Sequence, residues 1–231
     1  MYYRYIFLLA AAMVFSVWAS IKVNTTFKKY SAVRTSNGIT GAEAARRILD
    51  ANGLYNVRIE HIHGNLNDHF DPRSNVIRLS DSVYSSASAS AVGVAAHEAG
   101  HALQYAKGYV PLKLRNAIIP VTNIGSRLAM PLILLGIVMS GIGARYIYVA
   151  YIGVACFALS TLFQLLTLPT EFNASRRALD TIEKYGILYG NEIGSAQKVL
   201  SAAALTYVAA LAVSIIQLFR LLFIVGIGRR D

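Results

Sequence analysis

Long apolar runs alternate with shorter mixed segments along this chain. Residues 5–21 carry no charge between Arg4 and Lys22, and 128–144 and 146–168 follow one another with Gly141-Ile142-Gly143-Ala144-Arg145 between their cores. A fourth run, 199–219, ends at Arg220. Each has the length of a transmembrane helix, which takes about 17–25 residues. The middle two are expected to form a transmembrane hairpin. The first is expected to be an uncleaved anchor, because Ser16-Val17-Trp18-Ala19-Ser20 puts a tryptophan where signal cleavage needs small residues. Four such runs in 231 residues leave little room for the alternative, that they are core helices of a soluble domain.

Between the first and second runs the period changes. Thr40-Gly41-Ala42-Glu43 has the form of a capping box, opening a short helix through Ala44, Ala45, Ile48 and Leu49 that ends near Gly53. Segments 57–63 and 76–80 read as strands, and Asp71-Pro72-Arg73-Ser74 as a turn, which together predict a small hairpin. A proline-free, alanine-rich stretch then predicts a helix over 85–107, capped by Asp81-Ser82 and ended by Gly108. Residues 24–37 read as a basic linker, 111–127 as an interfacial segment, and 170–185 as a helix starting at Pro169 or Thr170.

The expected organisation is an anchor at 1–23, a cytoplasm-facing portion with the alanine-rich helix at 24–116, and the hairpin at 117–168. A further helix at 169–198 and a last span with a basic end at 199–231 follow. The fold class is a predominantly α-helical polytopic membrane protein of about four transmembrane helices with a small α/β portion.

Composition agrees, with 55% hydrophobic residues, 15% charged residues and a mean hydropathy of +0.46. The net charge of +10 could serve nucleic-acid binding or membrane orientation, and its distribution favours the second. Lys22, Lys28, Lys29 and Arg34, then Lys107, Lys113, Arg115 and Arg127, then Arg176, Arg177, Lys184 and Lys198 all fall on one side if the four runs span. Arg4, Arg145, Arg229 and Arg230, with Arg220 near the boundary, fall on the other. The positive-inside rule then puts the segment between the first two runs in the cytoplasm of a plasma-membrane protein. Cys156 alone allows no internal disulfide, and no phosphate loop, repeat or low-complexity tract supports a nucleotide or nucleic-acid function.

The chemistry is concentrated at His97-Glu98-Ala99-Gly100-His101. On a helix the two imidazoles lie on one face about 6 Å apart along the axis and can reach one zinc ion. Glu98 then stands where a carboxylate can take a proton from a water that the metal acidifies and return it to the departing amine. Gly100, which costs a helix interior about 1 kcal/mol relative to alanine, suggests close approach by another segment.

A catalytic zinc usually has three protein ligands. The extended motif fails, since Lys107 stands where its third histidine belongs and Gln104 where it has glycine. No Asp, Glu or His occurs from Ala102 to Thr170, so Glu171 is the first downstream candidate, returned by the hairpin to the motif's side. The alternative makes Glu171 a first-turn acid that only complements a helix dipole. Upstream competitors are His61, His63, Asp68 and His69, with His61 and His63 pointing the same way if they lie on a strand.

The chain resembles the bacterial membrane-bound neutral zinc metallopeptidases of the YugP type. The resemblance covers nearly all of it: Asp68-His69-Phe70-Asp71-Pro72 leading to Val76-Ile77-Arg78-Leu79-Ser80, then 93–104 around the motif, Leu114-Arg115-Asn116, Asn123-Ile124-Gly125-Ser126, and 169–178. That family is similar to the HtpX and CAAX-processing membrane peptidases, in which a glutamate after a transmembrane hairpin completes the zinc site. The resemblance implies Glu171 as third ligand beside His97 and His101, one Zn2+ per chain, a zincin-like surround and Glu98 as catalytic base and acid. Those relatives carry aspartate four residues after the glutamate, where this chain has Ser175, so Ser175 or Asn173 is expected to hydrogen-bond a ligand instead.

The expected activity is that of a membrane zinc endopeptidase acting on membrane or unfolded polypeptides. The sequence does not identify the oxyanion donor; Tyr105, His69, Arg176 and Arg177 are candidates. The hairpin edge would either pair with an extended substrate backbone or simply pack on the motif helix. The alternative function is a non-proteolytic zinc-binding membrane adaptor or regulator. No feature of the sequence sets an oligomeric state.

Overall fold

The computed structural model describes residues 2–227, and the basic end at Arg229 and Arg230 lies outside them, as does the side chain of Arg4. The element order is α1 (Tyr2–Ser31), α2 (Gly41–Ala51), β1 (Arg58–Ile62), β2 (His69–Asp71), β3 (Val76–Ser80), α3 (Ala89–Ala106), α4 (Val110–Ser140), a 3-10 turn (Ala144–Tyr146), α5 (Ile147–Lys184) and α6 (Asn191–Ile227). Four helical stretches, Ile6–Ser31, Val110–Ser140, Ala144–Lys184 and Asn191–Gly226, are long and apolar enough to cross a bilayer. This is a predominantly helical polytopic membrane protein.

The apolar runs belong to longer helices than the sequence suggested. α1 continues to Ser31 through the expected linker, because Phe27 is buried and the side chains of Asn24, Thr25 and Ser31 bond carbonyls one turn back. The expected interfacial segment 111–127 is the first half of α4, with Pro120 and Pro131 inside the helix. Pro169 does not start a helix, since α5 runs through it. Its missing N–H leaves one carbonyl of the preceding turn unbonded, but the next turns bury Thr170, Glu171, Ala174, Ala178 and Ile182 and hold the helix together.

The described chain divides into two compact units. One comprises residues 2–18, Lys113–Leu168 and 207–227. Within it α4 and α5 approach through small residues, as membrane helices do when no hydrophobic force drives them together. A Cβ on Gly136 would overlap the backbone of Ala150, and one on Gly153 would stand 2.7 Å from the Ala129 carbonyl. Thr161 and Ser214 hydroxyls meet at 2.7 Å between α5 and α6, satisfying each other away from water. Leu134, Val138, Ile152 and Leu165 are exposed, as residues facing lipid would be.

The other unit comprises Ala19–Leu112 and Pro169–Thr206. Its core joins Ala45, Ile48 and Leu49 of α2, Ile77 and Leu79 of β3, Val92, Ala95, Ala96 and Ala99 of α3, Ala178 and Ile182 of α5, and Ala196 and Val199 of α6. The capping box forms as expected: Thr40 Oγ1 accepts from Glu43 N–H and Glu43 accepts from Thr40 N–H. The sheet has three strands in the order β1-β3-β2. β1 runs parallel to β3, pairing Arg58 with Val76 and Ile62 with Ser80. The hairpin is therefore β2–β3, with Phe70 opposite Ile77; the segments 57–63 and 76–80 do pair, but parallel and not as the two arms of the expected hairpin. β2 spans only His69–Asp71, too short for alternation to reveal it.

The start of α3 also differs. Ser88, not Asp81 or Ser82, is the N-cap, accepting from Ala91 N–H. Residues just before it are held extended instead, because Thr35 N–H donates to Ala87 O and Ala89 N–H to Val33 O. α3 packs on its neighbours at two glycines: a Cβ on Gly93 would lie 3.2 Å from Ala196 Cβ, and one on Gly100 would lie 2.6 Å from the Ala174 carbonyl oxygen.

Gly100→Ala sets a helix-propensity gain of about 1 kcal/mol against overpacking that costs about 1–3 kcal/mol. Because the obstruction is backbone, overpacking should win, and thermal unfolding in detergent should show a lowered midpoint; an unchanged or raised midpoint would mean that α5 gives way freely.

Candidate metal centre

α3 places His97 and His101 one turn apart, with ring centroids 4.7 Å apart and planes nearly perpendicular. α5 brings Glu171 against both. Its Oε2 lies 3.1 Å from His97 Nε2 and 3.4 Å from His101 Nε2. The close approach at Gly100 makes this possible, since Ala174, whose carbonyl it meets, is three residues beyond Glu171 on the same helix. Glu171 is therefore a mid-helix residue, not the first-turn acid of the alternative reading. It is 3% exposed. Donor atoms of His97, His101 and Glu171 all lie within 4.8 Å of one another, and no other such group of three occurs among the described residues.

The far nitrogens are also held. Ser175 Oγ stands 3.1 Å from His97 Nδ1, projecting from α5 one turn after Glu171. Gln104, three residues after His101, puts Oε1 3.0 Å from His101 Nδ1. Gln104 Nε2 donates to the Thr170 carbonyl at 2.8 Å and to Asn173 Oδ1 at 3.0 Å. Arg177 Nε donates to the same Asn173 oxygen at 2.7 Å. Because a guanidinium only donates, Asn173 must present its oxygen, Gln104 must present its NH2 there, and its oxygen is left for His101. His101 thus carries a proton on Nδ1, and its Nε2 faces Glu171, to which it donates when the ring is doubly protonated.

Burial pushes the His101 pKa down, but the hydrogen bond and charge of Glu171, with the charge of Glu98 and the Gln104 bond, outweigh it and raise the pKa above its ordinary value. A proton therefore competes for this nitrogen at higher pH than for a free imidazole. Glu98 follows His97 on α3 and is buried. Burial likewise raises the Asp68 carboxyl, against hydrogen bonds from Ser80, and the charge of Glu98 adds to the rise.

Two imidazole nitrogens of half-buried rings, each held from behind, and one buried carboxylate suit a zinc ion with three protein ligands. The other sequence candidates lie elsewhere. His61 and His63 face Asp81, His69 Nδ1 bonds the Asn67 carbonyl, and Asp68 accepts from Ser80 N–H and Oγ–H. Arg177 is committed to Asn173 and lies over the Tyr109 ring, Arg176 is exposed, and exposed Tyr105 packs on Phe70. Gln104 was missed as a site residue. Its one signal in the sequence was that it replaces the glycine of the extended motif; the structure shows it fully buried, where an amide needs partners to be tolerated.

The family described as "Putative neutral zinc metallopeptidase" matches residues 5–226. A Bacillus subtilis (strain 168) protein named "Putative membrane protease YugP" is 49% identical over 227 residues, covering 98% of this chain and 99% of that protein. No solved structure matches the chain significantly.

Gln104→Leu keeps the packing volume but frees the His101 ring and removes one of the two donors to Asn173 Oδ1. Zinc affinity, measured by competition with a chelator, should fall roughly 10–100-fold; unaltered affinity would show that His101 is oriented without Gln104.

Proposed function

The chain belongs to this neutral zinc metallopeptidase family, and on that premise we propose that it is an HExxH-type zinc endopeptidase of the cell membrane. The observation that carries the proposal is the convergence of His97 Nε2 and His101 Nε2 on the buried Glu171 carboxylate. One Zn2+ per chain would be held by these three residues. Such an ion supplies Lewis acidity toward a peptide carbonyl and makes water a stronger acid.

The residues supply the rest. Glu98 is the catalytic base and acid: its carboxylate receives the proton of the attacking water and delivers it to the departing amide nitrogen. Ser175 and Gln104 keep the two rings from rotating, so that the donor nitrogens are in place before substrate arrives. The burial of Glu98 and Glu171 among alanines lowers the local dielectric and strengthens their electrostatic contacts.

Membrane or unfolded polypeptides are the proposed substrates, in keeping with four apolar helices and with a relative named as a membrane protease. β2 is an edge of the sheet and packs through Phe70 on Tyr105 of α3, so its open side offers backbone groups for an extended substrate beside the motif helix. The charge distribution supports a site facing the cytoplasm.

The test is casein cleavage by purified zinc-loaded protein in detergent, with Glu98→Gln as the comparison after both are shown to hold zinc. Cleavage by the wild type should drop roughly 10²–10⁴-fold in the variant. Equal cleavage by both, or none by either, would overturn the assignment of a general protease and leave a zinc-binding adaptor or regulator.

A further inference from the structure

The face of α3 that carries the two histidines continues past them. His97, His101 and Tyr105 follow at four-residue spacing, so Tyr105 stands on that face one turn, about 6 Å, beyond His101. Its ring is large and apolar, yet the residue is 50% exposed. Phe70 of β2 meets it, with ring centroids 6.0 Å apart and planes inclined at 60°. Phe70 is half-buried and also packs against the core of this unit. The two rings make an open corner, with Phe70 as its fixed wall and Tyr105 as its exposed one.

β2 is pinned beside this corner at both ends. Just before it, Asp68 accepts from Ser80 N–H at 2.7 Å and from the Ser80 hydroxyl at 3.1 Å, and Ser80 is fully buried. At its end, Asp71 accepts from the Ser74 hydroxyl at 2.7 Å and from Arg78 at 3.2 Å. The charge of Glu98 reaches Asp68, while Phe70 meets Tyr105, so the strand runs along α3 from Glu98 to the turn past His101. β2 lies at the edge of the sheet and pairs with β3 on one side. Its other side is a rigid template on which an extended chain can be added with little ordering of the protein.

A polypeptide added to that edge turns alternate side chains toward α3, beside Phe70. Two residues of such a strand span about 6.6–6.8 Å, close to the rise of about 6 Å that separates Tyr105 from His101 along α3. We propose that Phe70 and Tyr105 are the specificity-determining pair of this centre, receiving a large apolar side chain of an extended polypeptide about two residues from the scissile bond. The inference rests on the peptidase reading above and names the substrates it favours: extended segments in which apolar residues alternate with polar ones. Packing of the hairpin on α3 accounts for Phe70. It does not account for Tyr105, which stays open on the face that carries the metal-binding histidines.

Peptide binding is measured on full-length, zinc-loaded Glu98→Gln protein in detergent, by fluorescence anisotropy of labelled, end-blocked peptides. One peptide alternates leucine with threonine and the other serine with threonine, so a slide of the added strand by two residues changes nothing. The leucine peptide should bind roughly 10–100-fold more tightly. Adding Tyr105→Ala, or Tyr105→Gln as a second variant, should cut that preference to less than about threefold, and Tyr105→Phe should retain it. Zinc content of each variant checks that the centre is intact. Equal binding of the two peptides, binding of neither, or a preference that persists in both Tyr105→Ala and Tyr105→Gln overturns the proposal, even where the wild type cuts casein. A preference lost in those variants, in a protein whose wild type leaves casein uncut, supports the subsite and counts against the peptidase reading instead.

Discussion

A carboxylate buried between two helices must be compensated where it lies, and much of the unit around α3 is arranged to compensate Glu171. Stripping the partner from a buried charge costs about 3–5 kcal/mol, a large share of the stability of any domain. Here compensation comes from two imidazoles on one face of α3, reached only because Gly100 lets that helix settle against the Ala174 carbonyl. A side chain as small as a methyl would hold the helices apart and lengthen both contacts. The alanines of α3 extend the same logic along the helix, keeping neighbouring backbones near enough for short side chains to meet.

The neutral groups behind the histidines complete the arrangement. Ser175, Gln104 and Asn173 carry no charge, so they fix ring orientation without adding a further buried ion to be compensated. Their directionality originates at Arg177, whose guanidinium can only donate and therefore sets each amide in turn. A buried network of this kind stabilises only when every member is satisfied, and Gln104 satisfies its oxygen and both its N–H groups.

What could be read from the sequence was whatever local pattern decides. The apolar runs, the Thr40 capping box, the motif helix and its Gly108 end, and the expectation that Gly100 marks a close approach all rest on residues within a turn or two of one another. Glu171 was reached as a candidate by exclusion along the chain and by the hairpin's return, and as a third ligand only through the family resemblance. Ser175 or Asn173 was anticipated as a ligand partner through the family resemblance, because the relatives carry aspartate four residues after the glutamate, and it is Ser175 that meets a histidine. Features decided by distant partners were not legible. Ser88 caps α3 because residues 33–35 hold the preceding turn and Gly64 and His61 engage Asp81. β1 pairs parallel with β3 across an intervening strand of three residues, and α5 passes Pro169 because burial beyond it outweighs one missing bond. Gln104 was visible only as a departure from a longer motif, since its partners are 66 and 69 residues away.

The bonds between α3 and α5 cross in both directions: α5 supplies Glu171 and Ser175 to histidines of α3, while α3 sends Gln104 to the Thr170 carbonyl and Asn173 of α5. Rotating either helix by one residue, about 100°, would break these contacts together. No half-formed version of the centre is available, so docking of the two helices and creation of the donor set are one cooperative event. Any ion that binds only the docked arrangement would raise its stability with the logarithm of free ion concentration, so that metal occupancy and helix docking would be two readings of one equilibrium.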